Sequence, residues 1–174
     1  MGIEVLDFFY ASPDYNLIFA PHVLLFKRSW GSGASLPEAY RDTDNVRLDP
    51  SSRYSSDMTY LRSADIYLGD VSSQVYEFVE QPRPCVFLNG HGLDPADPSW
   101  AHWSFGPVID HVDRLGEALD DAKRNHAAYA PAQRERFAYT FETGEVPASI
   151  RGADIIAEFL ATGEPFPIGG DAAP

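Results

Sequence analysis

ADIYLGDVSSQVYEFVEQPRPCVFLNGH, residues 64–91, decides how this chain folds. An apolar run ends at Gly69-Asp70, and a helix-like run opens at Ser72-Ser73, with Val75, Phe78 and Val79 spaced three and four apart on one side. Pro82 and Pro84 stop that helix, and Cys85-Val86-Phe87-Leu88 is a second short apolar run, as in a strand covered on both faces. The unit is strand, helix, strand, and it delivers a buried strand to a helix N-terminus. The N–H groups of a first helical turn have no acceptor inside the helix and lie at the positive end of its dipole, so such a turn holds an anion without lysine or arginine. Small hydroxyl groups at Ser72 and Ser73 let a diphosphate approach the backbone and add two donors. The same Asp-x-Ser-Ser spelling also serves as a plain N-cap.

Toward the N-terminus, Ile3, Leu6, Phe9 and Tyr10 recur at helical spacing and predict a helix over 3–11, stopped by Ser12-Pro13. YNLIFA, residues 15–20, predicts a strand buried on both faces and closed by Pro21-His22. Val46 to Leu48 predicts a short strand, Ser55-Ser56-Asp57 a helix start continued by Met58, Leu61 and Arg62, and Ile66 to Leu68 the strand ahead of the serine turn. Toward the C-terminus, Gly90, Gly92, Pro95 and Pro98 mark a long loop and Val108-Ile109 a last strand. Helical stretches follow near 112–125, 131–141 and 149–161. One domain over 1–163 with a disordered tail over 164–174 accounts for the whole length.

Strands alternating with helices predict an α/β fold with a doubly wound parallel sheet, whose ligands sit beyond the carboxyl ends of the strands. His22, Asp70 and Asn89 all fall at such ends, and His91 stands two residues past Asn89. An imidazole at His22 serves as general base or as donor to phosphate, or is merely a structural loop histidine. His91 lines the same rim or completes a Gly-His-Gly turn. Trp100, His102, Trp103 and Phe105 either stack on a nucleobase or fill a gap over the sheet edge. Asp94 and Asp97 are weak evidence for a divalent cation, so no metal and no cofactor is expected. Arg134, Arg136 and Arg151 are read as solvated faces of late helices.

A formal charge of −13 argues against broad contact with nucleic acid or anionic lipid, both of which need Lys and Arg, but leaves room for a local phosphate site. The single cysteine excludes an internal disulfide and, inside CVFL, reads as an inert buried thiol. No signal-peptide pattern opens the sequence, and no apolar stretch approaches the roughly 20 residues that cross a bilayer. A cytoplasmic protein, at most peripheral to the inner face of the membrane, is expected.

Three passages resemble the CDP-glycerol glycerophosphotransferases that polymerise teichoic acids and, more broadly, the nucleotide-binding C-terminal half of GT-B glycosyltransferases. Phe19-Ala20-Pro21-His22 is similar to that family's strand-end histidine segment. Asp57 with Tyr60, then Ala64-Asp65-Ile66 and Gly69-Asp70-Val71-Ser72-Ser73, resembles its helix, strand and phosphate turn, with Val71 where the family has tyrosine. Phe78 through Asn89, and more loosely Trp103 to Val108, match the elements that follow. The resemblance implies a Rossmann-like domain binding CDP-glycerol or a related donor. Asp70, Ser72, Ser73 and nearby amides hold the diphosphate, His22 is catalytic beside the reacting phosphorus, and Asn89 and His91 lie at the rim.

The resemblance also implies an acceptor domain, with its own histidine, that these residues do not contain, and a first strand that should precede the helix at 3–11. The chain is therefore expected to be a fragment, a truncated product or a subunit completed by another chain, and to lack turnover alone. With the central strand missing, the flanking strands close up and pair directly, or residues 3–9 become the strand, or a second chain supplies it. Direct pairing is the expected outcome. The alternative to a donor-binding transferase half is a noncatalytic nucleotide- or sugar-phosphate-binding module, and a third reading is a purely structural α/β domain.

Overall fold

The computed structural model describes residues 1–21, 40, 43–49, 52–55 and 57–164. Among them two parallel sheets lie between helices. β1 (Leu17–Phe19) pairs with β2 (Val46–Leu48), Leu17 opposite Val46 and Phe19 opposite Leu48. β3 (Tyr67–Gly69), β4 (Cys85–Leu88) and β5 (Val108–Ile109) form the second sheet in that order, Leu68 opposite Val86 and Phe87 opposite Val108. Every pairing is parallel, as the alternation of strand and helix requires.

The helices follow the apolar spacing. α1 (Gly2–Tyr10) buries Val5, Leu6 and Phe9. A 3-10 turn at Arg53–Ser55 precedes α2 (Thr59–Ser63), whose first N–H donates to the Asp57 carboxylate at 3.1 Å. α3 (Gln74–Phe78) buries Val75 and Phe78, and α4 (Leu115–Arg124) buries Leu115, Ala118, Leu119 and Ala122. α5 (His126–Thr140) starts five residues before Pro131, where the sequence suggested its first turn. Proline one turn inside a helix loses one backbone bond while its fixed φ stays helical, so the helix runs through it. α6 (Ala148–Thr162) ends at Gly163, in the left-handed region at φ +71°.

β4 divides two cores, because successive strand side chains point to opposite faces. Val86 joins α1, α4, Val46 and Ile109 on one face, while Cys85 and Phe87 join Val75, Phe78, Trp103 and Phe105 on the other. At the rear of the second core, the buried Gln133 amide of α5 donates to the carbonyls of Arg83 and Phe105, both at 2.9 Å. Gly106 lets the backbone pass there, since a Cβ would fall 1.9 Å from the Cys85 carbonyl oxygen.

Two expectations fail at β1. None of its residues is buried, and Ile18 is 37% exposed, although YNLIFA reads as a strand covered on both faces. Direct pairing of the flanking strands is also not made. Leu17 N–H donates to Asn45 at 2.8 Å and Phe19 C=O accepts from Asp49 at 2.9 Å, so these residues turn toward β2 and Ile18 turns away. Tyr67 N–H donates to Pro84 at 3.0 Å, which likewise turns Tyr67 and Gly69 toward β4 and Leu68 away. Side chains rather than ladder bonds join the sheets: Leu17, Phe19, Ile66, Leu68 and Met1 pack against one shared core. Residues 3–9 stay helical, and Met1-Gly2 sits between the carboxyl ends of β1 and β4, near Phe19 and Gly90. The tail from 165 onward lies outside the described residues, and no described helix is long and apolar enough to cross a membrane.

Candidate functional site

The carboxyl ends of the strands carry the predicted turn. β3 ends at Gly69, where a Cβ would lie 2.6 Å from the Tyr67 hydroxyl, so the tyrosine that folds back over the turn dictates glycine. Burial pushes the Tyr67 phenol up to about 12, with the nearby Ser72 hydroxyl pulling the other way. Asp70, Val71 and Ser73 are exposed.

The Asp70 carbonyl is anchored from behind. Trp103 Nε1–H donates to it at 3.2 Å, and His102 Nε2 stands 3.4 Å away. His102 is buried among the rings of Tyr76, Phe87, Trp100 and Trp103. Burial holds its imidazole below the usual range, against a smaller opposite pull from Asp70. The aromatic cluster therefore fills the core over the sheet edge and fixes the turn.

The amides available to a ligand are not those expected from a regular helix start. Val75 N–H donates to Ser72 C=O at 3.3 Å, Tyr76 N–H to Ser73 C=O at 3.1 Å, and Gln74 N–H to the Ser72 hydroxyl at 3.4 Å. A tight first turn consumes them. The N–H groups of Asp70, Val71, Ser72 and Ser73 have no acceptor among the described residues. They precede α3 and lie on the exposed turn.

The rim is built by neighbouring elements. The Gln74 side-chain amide donates to Ser55 C=O at 3.4 Å, tying α3 to the 3-10 turn. Asp49, at the end of β2, is 6% exposed and accepts from Ser52 N–H at 2.8 Å and from the hydroxyls of Ser52 and Tyr60. The sequence reading passed over Asp49, although a carboxylate directly after an apolar strand was visible in Leu48-Asp49. Arg83, also passed over, donates to Ala64 C=O and Phe78 C=O, both at 2.7 Å, and so caps the C-terminal ends of α2 and α3.

Asn89 supports the rim. Its side chain donates to Leu93 C=O at 2.8 Å and accepts from Leu93 N–H at 2.9 Å, closing a loop whose Gly92 has φ +63°. His91 is exposed at the tip of that loop. His22, the predicted catalytic residue, lies outside the described residues. Asp94 and Asp97 cap local turns, accepting from Ala96 N–H at 2.9 Å and Ser99 N–H at 2.8 Å. Arg134 and Arg136 are exposed, while Arg151 donates to Val146 C=O at 2.6 Å and Glu142 C=O at 2.9 Å. An open cleft of about 450 Å³ lined by Tyr10, Asn16, Thr43 and Asn45 lies at the amino ends of β1 and β2, away from the serine turn.

No family model matches the chain, and neither does any curated protein or any solved structure. What the turn can do chemically follows from its atoms. Unpaired amides and a hydroxyl, held by a buried indole, place donors around anionic oxygens without supplying a positive side chain.

Proposed function

We propose that this chain is the donor-nucleotide-binding, Rossmann-like half of a transferase resembling the CDP-glycerol glycerophosphotransferases and GT-B glycosyltransferases. The observation that supports it is the run of unpaired amides at Val71, Ser72 and Ser73 on an exposed turn at the carboxyl end of a parallel strand. The diphosphate of CDP-glycerol or a related donor sits on those amides and the two serine hydroxyls. Asp70 contributes the carbonyl that fixes the turn, Asn89 holds the rim loop and His91 borders the nucleotide. His22 acts beside the reacting phosphorus. Transfer proceeds by positioning and charge stabilisation, and needs the wall of an acceptor domain on the other side of the cleft.

Ser73 has φ −63°, the angle proline adopts, so Ser73→Pro removes one amide while keeping that dihedral. Calorimetry against CDP-glycerol, CDP-ribitol, UDP-sugars and GDP-sugars is expected to find one binding class. Ser73→Pro is expected to abolish that binding, and Ser73→Ala to weaken it by about 1 kcal/mol, the worth of one neutral hydrogen bond. Unchanged affinity in the proline variant, with an unchanged circular dichroism spectrum, would remove the turn from the site.

A further inference from the structure

Among the described residues the inner edges of β1 and β3 are unpaired. Because Leu17 and Phe19 spend their main-chain groups on β2, and Tyr67 and Gly69 on β4, the N–H and C=O of Ile18 and Leu68 point away from both partners. Neither residue's main chain is hydrogen-bonded among the described residues. The carboxyl ends of β1 and β4 lie near each other, since the start of α1 touches both: Gly2 faces the Phe19 ring and Met1 reaches Gly90. Side chains of both sheets also share one apolar core. Exposure shows what pairing on both sides does. Cys85, Val86 and Phe87 of β4 are all 0% exposed, whereas β3 is half-buried throughout and Ile18 of β1 is 37% exposed.

We propose that the space between β1 and β3 takes an extended segment of a partner polypeptide as a strand parallel to both. Donors and acceptors on two edges select an extended chain, because a helix spends its main-chain groups internally. The apolar side chains around both edges select an uncharged centre. With three residues in each flanking strand, a segment of about four to six residues spans the space. Its flanks are selected by charge. Exposed Asp14 and Asp65 stand just ahead of β1 and β3, and exposed Asp70 just after β3, in a chain of formal charge −13. Lys or Arg on either side of the apolar centre complements them. A second copy of this chain is a poor occupant, because it carries the same acidic excess.

The test is residue-resolved hydrogen exchange on the full chain, with and without a synthetic peptide of five alternating Val and Thr residues flanked by two lysines at each end. In the free chain the amides of Ile18 and Leu68 exchange faster than those of Leu17, Phe19, Tyr67 and Gly69. Saturating peptide slows both by about tenfold or more. A peptide with glutamates in place of the lysines protects less, and one with a central proline does not protect. Ile18→Pro, tolerated because that amide is unbonded at a strand edge, removes the peptide-induced protection at Leu68. The proposal is overturned if Ile18 and Leu68 are already as protected as their neighbours, or if saturating peptide leaves them unchanged. Protection that rises with chain concentration alone also overturns it, by making a second copy the occupant.

Discussion

Gln133 is a polar side chain with no exposed surface, and its amide serves two backbone carbonyls from different parts of the second core. Gln133→Leu leaves the Phe105 carbonyl desolvated and unpaired and the Arg83 carbonyl with only the weak Cys85 thiol donor at 3.5 Å, so a loss of about 2–4 kcal/mol in urea unfolding is expected. A second residue test concerns Cys85, whose thiol burial pushes up to about 12. It should react with a thiol reagent at pH 8 only at the rate of unfolding. The third is a matter of pH. His102 has a folded pKa below its unfolded value, so the unfolded chain binds the extra proton first; stability from neutral His102 is complete above about pH 6.5 and is lost as pH falls through the folded pKa. His102→Gln, which keeps a donor for the Asp70 carbonyl, should flatten the decline in melting temperature between pH 7 and 5 relative to wild type. At this scale the sequence disclosed what depends on neighbours along the chain. Cys85 inside CVFL reads as buried, and Ser72-Ser73 reads as a turn. Gln133 was hidden because its polarity outweighs its position three residues after buried Ala130, and the choice of free amides was hidden because it depends on how tightly the first turn of α3 closes.

Helices with a strong apolar stripe, such as α1 and α4, were readable from spacing alone, and so were the apolar runs of β2, β4 and β5. The start of α5 was misplaced because proline is commonest at a first helical position, whereas here Pro131 stands inside the helix. Two glycines show how differently elements are coupled to the core. Gly106→Ala would drive a methyl into the Cys85 carbonyl, and more than about 3 kcal/mol of destabilisation is expected. Gly152 of α6 has nothing within 4 Å of its absent Cβ, and no residue of α6 is buried. Ending the chain after Val146 should therefore leave the melting temperature of the remainder unchanged by thermal denaturation, while helical ellipticity falls. A drop in melting temperature would show that α6 shares the cooperative unit.

For the molecule as a whole, alternation of strand and helix was enough to give parallel α/β layers, since it depends only on element order. Whether β1 and β3 meet was not, because pairing between distant segments depends on what fills the space between them. The acidic excess acts at this scale as well. A formal charge of −13 sets surface carboxylates against one another, and salt near 0.15 M, with a screening length of about 8 Å, should raise the melting temperature above its low-salt value. The second core is also continuous with the serine turn: Trp103 stacks on Trp100 with ring centres 5.8 Å apart and planes 28° from parallel, while its nitrogen holds Asp70. Two indoles that close share their electronic transitions, and one of them grips the backbone from which Val71, Ser72 and Ser73 project. The near-ultraviolet dichroism of this pair is thus a label-free optical gauge of the turn, one expected to change on titration with a ligand of the proposed site.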